Sequence, residues 1–236
     1  SNDYAGIGGN GAEIGFGRCP ENSAPGACGF AFGGSNIPRR DDIEPDDGGQ
    51  YGVAFNWFAE QLNETEFGFY YANYHSRLPL FSGNAVVVPG VPGTGGVSVQ
   101  YPEDIKLYGM SFNTPLPGGW VLQGEYSRKE DQPLQIEDVE LFLAGLRVGA
   151  PSQIGPFGPG EFSQGWRPFD VDQLNLSVTK VFGPFASIGS DQMIFLFEAG
   201  AMSVKDMPST SVLRFEAPAT FTPGNATVAA GSGVPQ

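Results

Sequence analysis

Between residues 50 and 60, large apolar side chains alternate with small or polar ones. Tyr51, Val53, Phe55 and Trp57 fall on one side, and Gly52, Ala54 and Asn56 on the other. Successive side chains of an extended chain point to opposite faces, so this period predicts a strand and not a helix. After a break at Leu62-Asn63-Glu64 the alternation resumes over 66–74, with Phe67, Phe69 and Tyr71 opposed by Gly68, Tyr70 and Ala72. The short gap predicts an antiparallel hairpin. The unit recurs at 105–114, where Tyr108, Met110 and Phe112 oppose Gly109, Ser111 and Asn113. A turn at Pro115-Leu116-Pro117-Gly118-Gly119 leads to a returning strand over 120–127. A third unit sets Leu174, Leu176, Val178 and Phe182 against Gln173, Asn175, Ser177 and Thr179. It turns near Gly183-Pro184 and Gly189-Ser190, then runs over 191–204 with Met193, Phe195, Phe197 and Ala199 on one face and Glu198 and Gly200 on the other.

The expected fold class is therefore all-β, an antiparallel meander of about three hairpins. Long loops over 76–104 and 129–171 separate the hairpins. Residues 1–49 read as a Gly-rich, then acidic, extracellular loop, 50–217 as the strand region, and 218–236 as a loop or tail. Short turns at one end and long connections at the other match the plan of an outer-membrane barrel. A soluble sandwich spaces its turns more evenly and crowds Lys and Glu onto its solvent face. Here the polar face carries Gly, Ala, Ser, Asn and Gln, while the apolar face is rich in Phe, Tyr and Trp. That pairing suits a lumen inside and lipid outside.

Composition modifies this picture in three places. Glycine (35) and proline (20) approach a quarter of the 236 residues, but 13% aromatics and the patterned apolar positions favour a turn-rich β protein over disorder. A net charge of −14 argues against a nucleic-acid partner. The acidic surface suits simple solubility, or divalent cations where loops face lipopolysaccharide. The two cysteines, Cys19 and Cys28, lie in a Gly/Pro/Asn-rich stretch without a nearby histidine, too few ligands for structural zinc. A small disulfide loop is expected, which implies an oxidising compartment; two free thiols are the alternative. No stretch reaches the roughly 18 apolar residues of a spanning helix, whereas a barrel strand needs only about 10 alternating ones. No secretory leader pattern is present, so the chain reads as a mature protein or a fragment.

Several strings carry a resemblance. They are Gly49-Gln50-Tyr51-Gly52-Val53-Ala54-Phe55, Tyr71-Ala72-Asn73-Tyr74-His75-Ser76-Arg77-Leu78-Pro79, Tyr101-Pro102-Glu103-Asp104-Ile105, Leu122-Gln123-Gly124-Glu125-Tyr126, Thr179-Lys180-Val181-Phe182-Gly183-Pro184 and Leu213-Arg214-Phe215-Glu216. Taken together they resemble a proteobacterial outer-membrane β-barrel family of unknown function, whose genes accompany those for lipid, steroid and polyester catabolism. The resemblance implies a barrel for passage of hydrophobic compounds and brings no catalytic residues. Family members are much longer, so the chain resembles their middle portion. Six clear strands fall short of the smallest eight-stranded barrel. The missing strands of a parent chain, or self-association, would then complete the wall, with outer-membrane lipid and lipopolysaccharide as the other partners.

Candidate chemistry is sparse. His75 is the sole histidine. It adjoins Ser76, but neighbours in a strand point to opposite faces, which argues against a catalytic pair. Tyr74, His75 and Arg77 instead suggest a structural or gating role at a barrel rim. Asp41, Asp42, Glu44, Asp46 and Asp47 supply enough carboxylates for a loose calcium site but lack EF-hand spacing, and a solvated loop is the preferred explanation. Gly6-Ile7-Gly8-Gly9-Asn10-Gly11 mimics a nucleotide loop without the βαβ context. Over 136–146 an apolar run with acidic residues at its start predicts a short helix, with a strand as the alternative. There Leu141, Phe142, Leu143 and Leu146 either pack as a lid or line the access route of an apolar solute, facing a second apolar loop at 85–91. The expected function is passive uptake or export of hydrophobic compounds, without catalytic residues or cofactor. The alternative is a secreted or surface β-sheet module with a structural or self-assembly role.

Overall fold

In the computed structural model, described for residues 40–184 and 189–215, the three hairpins form one six-stranded antiparallel sheet. Its strands are β1 (Tyr51–Ala59), β2 (Thr65–Tyr74), β5 (Ile105–Leu116), β6 (Trp120–Gln135), β8 (Trp166–Phe182) and β9 (Met193–Val204), in spatial order β1-β2-β5-β6-β8-β9. The all-β meander read from the sequence is the observed fold, and no closed barrel forms among the described residues. The turns are local. Asn63 and Glu64, both at positive φ, reverse the chain between β1 and β2. Gly118 and Gly119, at φ 80° and 78°, do so between β5 and β6, a conformation that glycine adopts without steric cost.

The long connections are not plain loops: besides the short helix expected over 136–146 they form strands that the sequence reading did not mark. They hold a second sheet of β3 (Leu80–Asn84), β4 (Gly96–Gln100) and β7 (Phe162–Ser163), ordered β4-β3-β7, and a helix α1 (Asp138–Leu146). These short strands escape hydrophobic alternation because their buried face is partly polar. Ser82 is fully buried; its hydroxyl donates to Gln100 Oε1 at 2.8 Å and accepts the Gly165 N–H at 3.0 Å. Ser98 is also buried. Strands β6 and β8 extend past the expected ends at 127 and 173 because the register shifts between Lys129 and Gln132, with Asp131 at φ 59°. One extra residue flips every later side chain, so the alternation breaks while the pairing continues.

The core sits in this cap and where it meets the sheet. Leu80, Ala85, Val86, Val99, Ile105, Ile136, Leu143, Leu146 and Val171 are buried. Gln135 stitches the junction: its amide nitrogen donates to the carbonyls of Phe81, Ile136 and Gly165, and its Oε1 accepts the Phe81 N–H at 2.7 Å. Among the described residues the sheet itself has no second layer. Val53, Phe55, Trp57, Phe195 and Phe197 are all exposed at the two outer strands. Strand β1 pairs only with β2, and β9 only with β8, so both edges are open among the described residues.

Candidate functional site

The register places like with like across all six strands. Directly opposed residues share a face, and the rung Phe55–Phe69–Met110–Tyr126–Leu174–Ala201 is continuous from β1 to β9. The next rung towards the short turns runs Trp57–Phe67–Phe112–Gly124–Leu176–Ala199. Stacked pairs reinforce it: Phe55–Phe69 centroids lie 6.3 Å apart and Trp57–Phe67 centroids 5.6 Å apart. The apolar field ends in tyrosines and charges at one extreme and in an aromatic cluster under one lysine at the other.

At the cap end a tyrosine row leads into charge. Tyr71 lies 5.9 Å from Tyr51 and 5.1 Å from Tyr108. Beyond it, Arg128 pairs with Asp170 at 2.6 Å, and Lys205 pairs with Asp172 at 2.9 Å; Tyr126 donates its hydroxyl proton to Asp172 at 2.9 Å. At the short-turn end Trp120 lies 5.6 Å from Phe195 and 6.2 Å from Phe182. The Lys180 ammonium sits over Trp120 at 4.9 Å and over Phe182 at 4.6 Å. Sequence reasoning found the alternation but not these terminating rows, since they appear only when six strands are laid side by side.

The opposite face is a concave trough of about 650 Å³. It is lined by Asn56, Glu66, Gly68, Tyr70, Ser111, Asn113, Gln123, Glu125, Asn175, Ser177, Glu198 and Gly200, with Phe112, Gly124, Leu176 and Ala199 of the apolar face contributing at its floor. The Tyr70 and Ser111 hydroxyls lie 3.3 Å apart, and the Ser177 hydroxyl donates to Gln123 Oε1 at 3.3 Å. Glycine keeps the trough open. A Cβ on Gly68 would lie 2.3 Å from the Tyr70 hydroxyl, and one on Gly200 would lie 2.8 Å from Asn175 Oδ1.

Residues singled out at the cap separate into distinct roles. In α1, Leu143 and Leu146 are buried, while Leu141 and Phe142 are half-buried. Loop 85–91 does face the helix: the Val86 and Gly90 N–H groups donate to the Gly145 and Leu146 carbonyls, both at 2.9 Å. The Arg147 guanidinium closes the same junction on the Val86 and Val87 carbonyls at 3.0 Å. Val87, Val88, Val91 and Val148 stay exposed there. The fully buried Glu140 takes Arg214 on one carboxylate oxygen at 2.8 Å and the Gln153 N–H on the other at 2.7 Å. The Glu137 N–H donates to the Arg214 carbonyl at 3.0 Å, so the chain after β9 is latched to α1. Burial raises the Asp138 carboxyl above the ordinary aspartate value, against a lesser lowering by the Val139 N–H.

His75 is buried and uses both ring nitrogens on backbone. Nε2 donates to the Gly48 carbonyl at 2.7 Å, and Nδ1 accepts the Asp104 N–H at 3.1 Å. With Asn73, which donates to Gly49 O and Asp104 Oδ1, it clamps the approaches to β1 and β5. The Ser76 hydroxyl donates to Leu78 O, Tyr74 is half-buried, and Arg77 is exposed. Asp41, Asp42, Glu44, Asp46 and Asp47 follow the edge of β4, where the Ile43 N–H donates to Val99 O at 2.8 Å. No three acidic, histidine or cysteine side chains gather into a metal-sized group among the described residues. Cys19 and Cys28 lie outside the described residues, as do 1–39 and 216–236.

Fold and site together define an all-β antiparallel meander with one apolar and one polar face, capped at one end. A family model described as protein of unknown function (DUF1302) matches residues 1–233, and the chain belongs to that family. No curated protein and no solved structure matches it.

Proposed function

We propose that the six-stranded sheet is a section of an outer-membrane β-barrel wall, with its apolar face towards lipid and its trough towards a lumen that passes small solutes without an energy source. The observation that carries this is the bounded apolar field on which none of the described residues packs. Soluble proteins rarely expose contiguous apolar patches above a few hundred Å². On β8 the apolar positions Leu174, Leu176 and Val178 lie between Asp172 and Lys180. That interval is about 26 Å along a strand at roughly 3.3 Å per residue, or about 19 Å of height at a tilt of ~45°. An apolar band stands about 25 Å tall, and a lysine stem reaching outward over aromatic rings makes up part of the difference. Further strands must pair with β1 and β9 to close the wall, since bare edges have no solvent partner in hydrocarbon.

Hydrophobic compounds are the solute class implied by the family resemblance. The exposed valines of the cap, with half-buried Leu141 and Phe142, support it as a receiving surface; the polar trough does not. A self-assembling surface module is the second reading, favoured by the two open edges. The test uses three single-tryptophan variants in vesicles of brominated lipid. Trp57 and Trp120 fluorescence is expected to be strongly quenched, and Trp166, in the cap junction, spared. Equal quenching of all three, or none, removes the wall reading.

A further inference from the structure

We infer that the lumen prefers cations, and that Glu66, Glu125 and Glu198 set this preference. The inference rests on the proposed reading that the trough faces an aqueous passage. Two neighbouring rungs carry it. One runs Glu66–Asn113–Gln123–Ser177–Glu198, and the other Asn56–Gly68–Ser111–Glu125–Asn175–Gly200. Three carboxylates therefore fall within two neighbouring rungs of the trough, on β2, β6 and β9, with no lysine or arginine in either rung. Spread over strands that tilt by ~45°, they line about 14 Å of the passage and are not a single coordination point.

Their pairing state separates them from the charges gathered at the cap end of the sheet. Arg128, Lys205, Asp170 and Asp172 neutralise one another on the apolar face at the cap end. Glu66, Glu125 and Glu198 are exposed in the trough with no hydrogen bond or ion pair among the described residues. The nearest cation on their own face along β6 is Lys129, about 13 Å away at roughly 3.3 Å per residue. The surrounding Ser, Asn, Gln and Gly offer no positive charge. Carboxylates lining a passage favour cations by lowering the electrostatic cost of their transit and raising that of anions. The solute class in this trough is then hydrated or organic cations, followed by neutral polar molecules, and anions are disfavoured.

The test is the reversal potential of the full-length protein in planar bilayers under a potassium chloride gradient. Three carboxylates about 10 Å from a lumen axis and spread along it predict a potassium-over-chloride permeability ratio of about three near 0.1 M salt, falling as salt rises. Glu66→Gln, Glu125→Gln and Glu198→Gln combined should bring the ratio to about one. Each single variant should give an intermediate ratio, which keeps the test decisive should the triple variant fail to fold. A ratio near or below one in the unaltered protein, or a cation preference that survives the substitutions, overturns the inference and leaves the wall reading standing. No conductance from protein inserted with quenched Trp57 and Trp120 overturns the inference together with the aqueous lumen.

Discussion

Leu176 and Ser177 are adjacent in β8 but meet opposite surroundings. Leu176 lies in the apolar rung with Trp57, Phe67 and Phe112, and Ser177 bonds Gln123 in the trough. Leu176→Asp places a charge towards lipid and is expected to cost about 2 kcal/mol, whereas Ser177→Asp faces water and costs little. Heat-modified mobility in detergent checks the difference; equal effects would remove the two-faced assignment. Gly165 is constrained differently. A Cβ there would lie 1.7 Å from the Phe81 carbonyl oxygen, a backbone atom with little room to yield. Gly165→Ala is expected to cost at least the ~1–3 kcal/mol of overpacking. Because the clash lies at the junction of β3 with β8, faster proteolysis within the cap is the signal, with the sheet strands protected.

At the scale of elements, α1 is held by chemistry more than by its apolar face. Glu140 is fully buried and answered by Arg214 and the Gln153 backbone. Removing one partner of a buried pair leaves a charge without compensation. Arg214→Ala should therefore loosen α1 by on the order of 3 kcal/mol. Arg214→Met with Glu140→Gln should cost less than Arg214→Ala alone. Amide hydrogen exchange in α1 measures both, and an unaltered rate in Arg214→Ala would mean that the latch contributes nothing. Asp138 adds a pH dependence of opposite sense to the usual carboxylate. Its folded-state pKa is raised by burial, so its contribution is most favourable below the ordinary aspartate value and is lost as pH rises through the folded value. Asp138→Asn should thus slow exchange in α1 near pH 7 and have little effect near pH 3. A larger stabilisation at the acidic end would contradict the burial effect.

For the whole molecule, the open edges dominate. Six antiparallel strands leave β1 and β9 running in opposite directions, so a second copy could pair its β1 with β9 in the same antiparallel sense. Edges with unpaired backbone groups and exposed apolar side chains seek partners. The 236-residue chain alone in detergent is therefore expected to associate, with a protein mass above that of a monomer by light scattering. A stable monomer would show that the edges are protected by other means.

Alternation of Tyr51, Val53, Phe55 and Trp57, and its echoes in β2, β5, β6, β8 and β9, fixed strand identity, hairpin pairing and the division into two faces from sequence alone. Period-two patterning is a local signal, and each hairpin lies within a few residues of its own turn. The acidic start and apolar body of 136–146 likewise pointed to a helix, with a strand as the alternative, and the helix is observed over Asp138–Leu146. What the sequence could not show depends on strands or segments far apart. The tyrosine and tryptophan rows and the three glutamates in neighbouring rungs exist only once the register of all six strands is set. Glu140 meets Arg214 across 74 positions, and Ser82 meets Gly165 across 83. Buried serines look like loop residues until their partners arrive, and the shift at Lys129–Gln132 hides strand behind a broken period. Tertiary structure decided these because satisfying a buried polar group, or aligning charges across a sheet, depends on which distant segments come together.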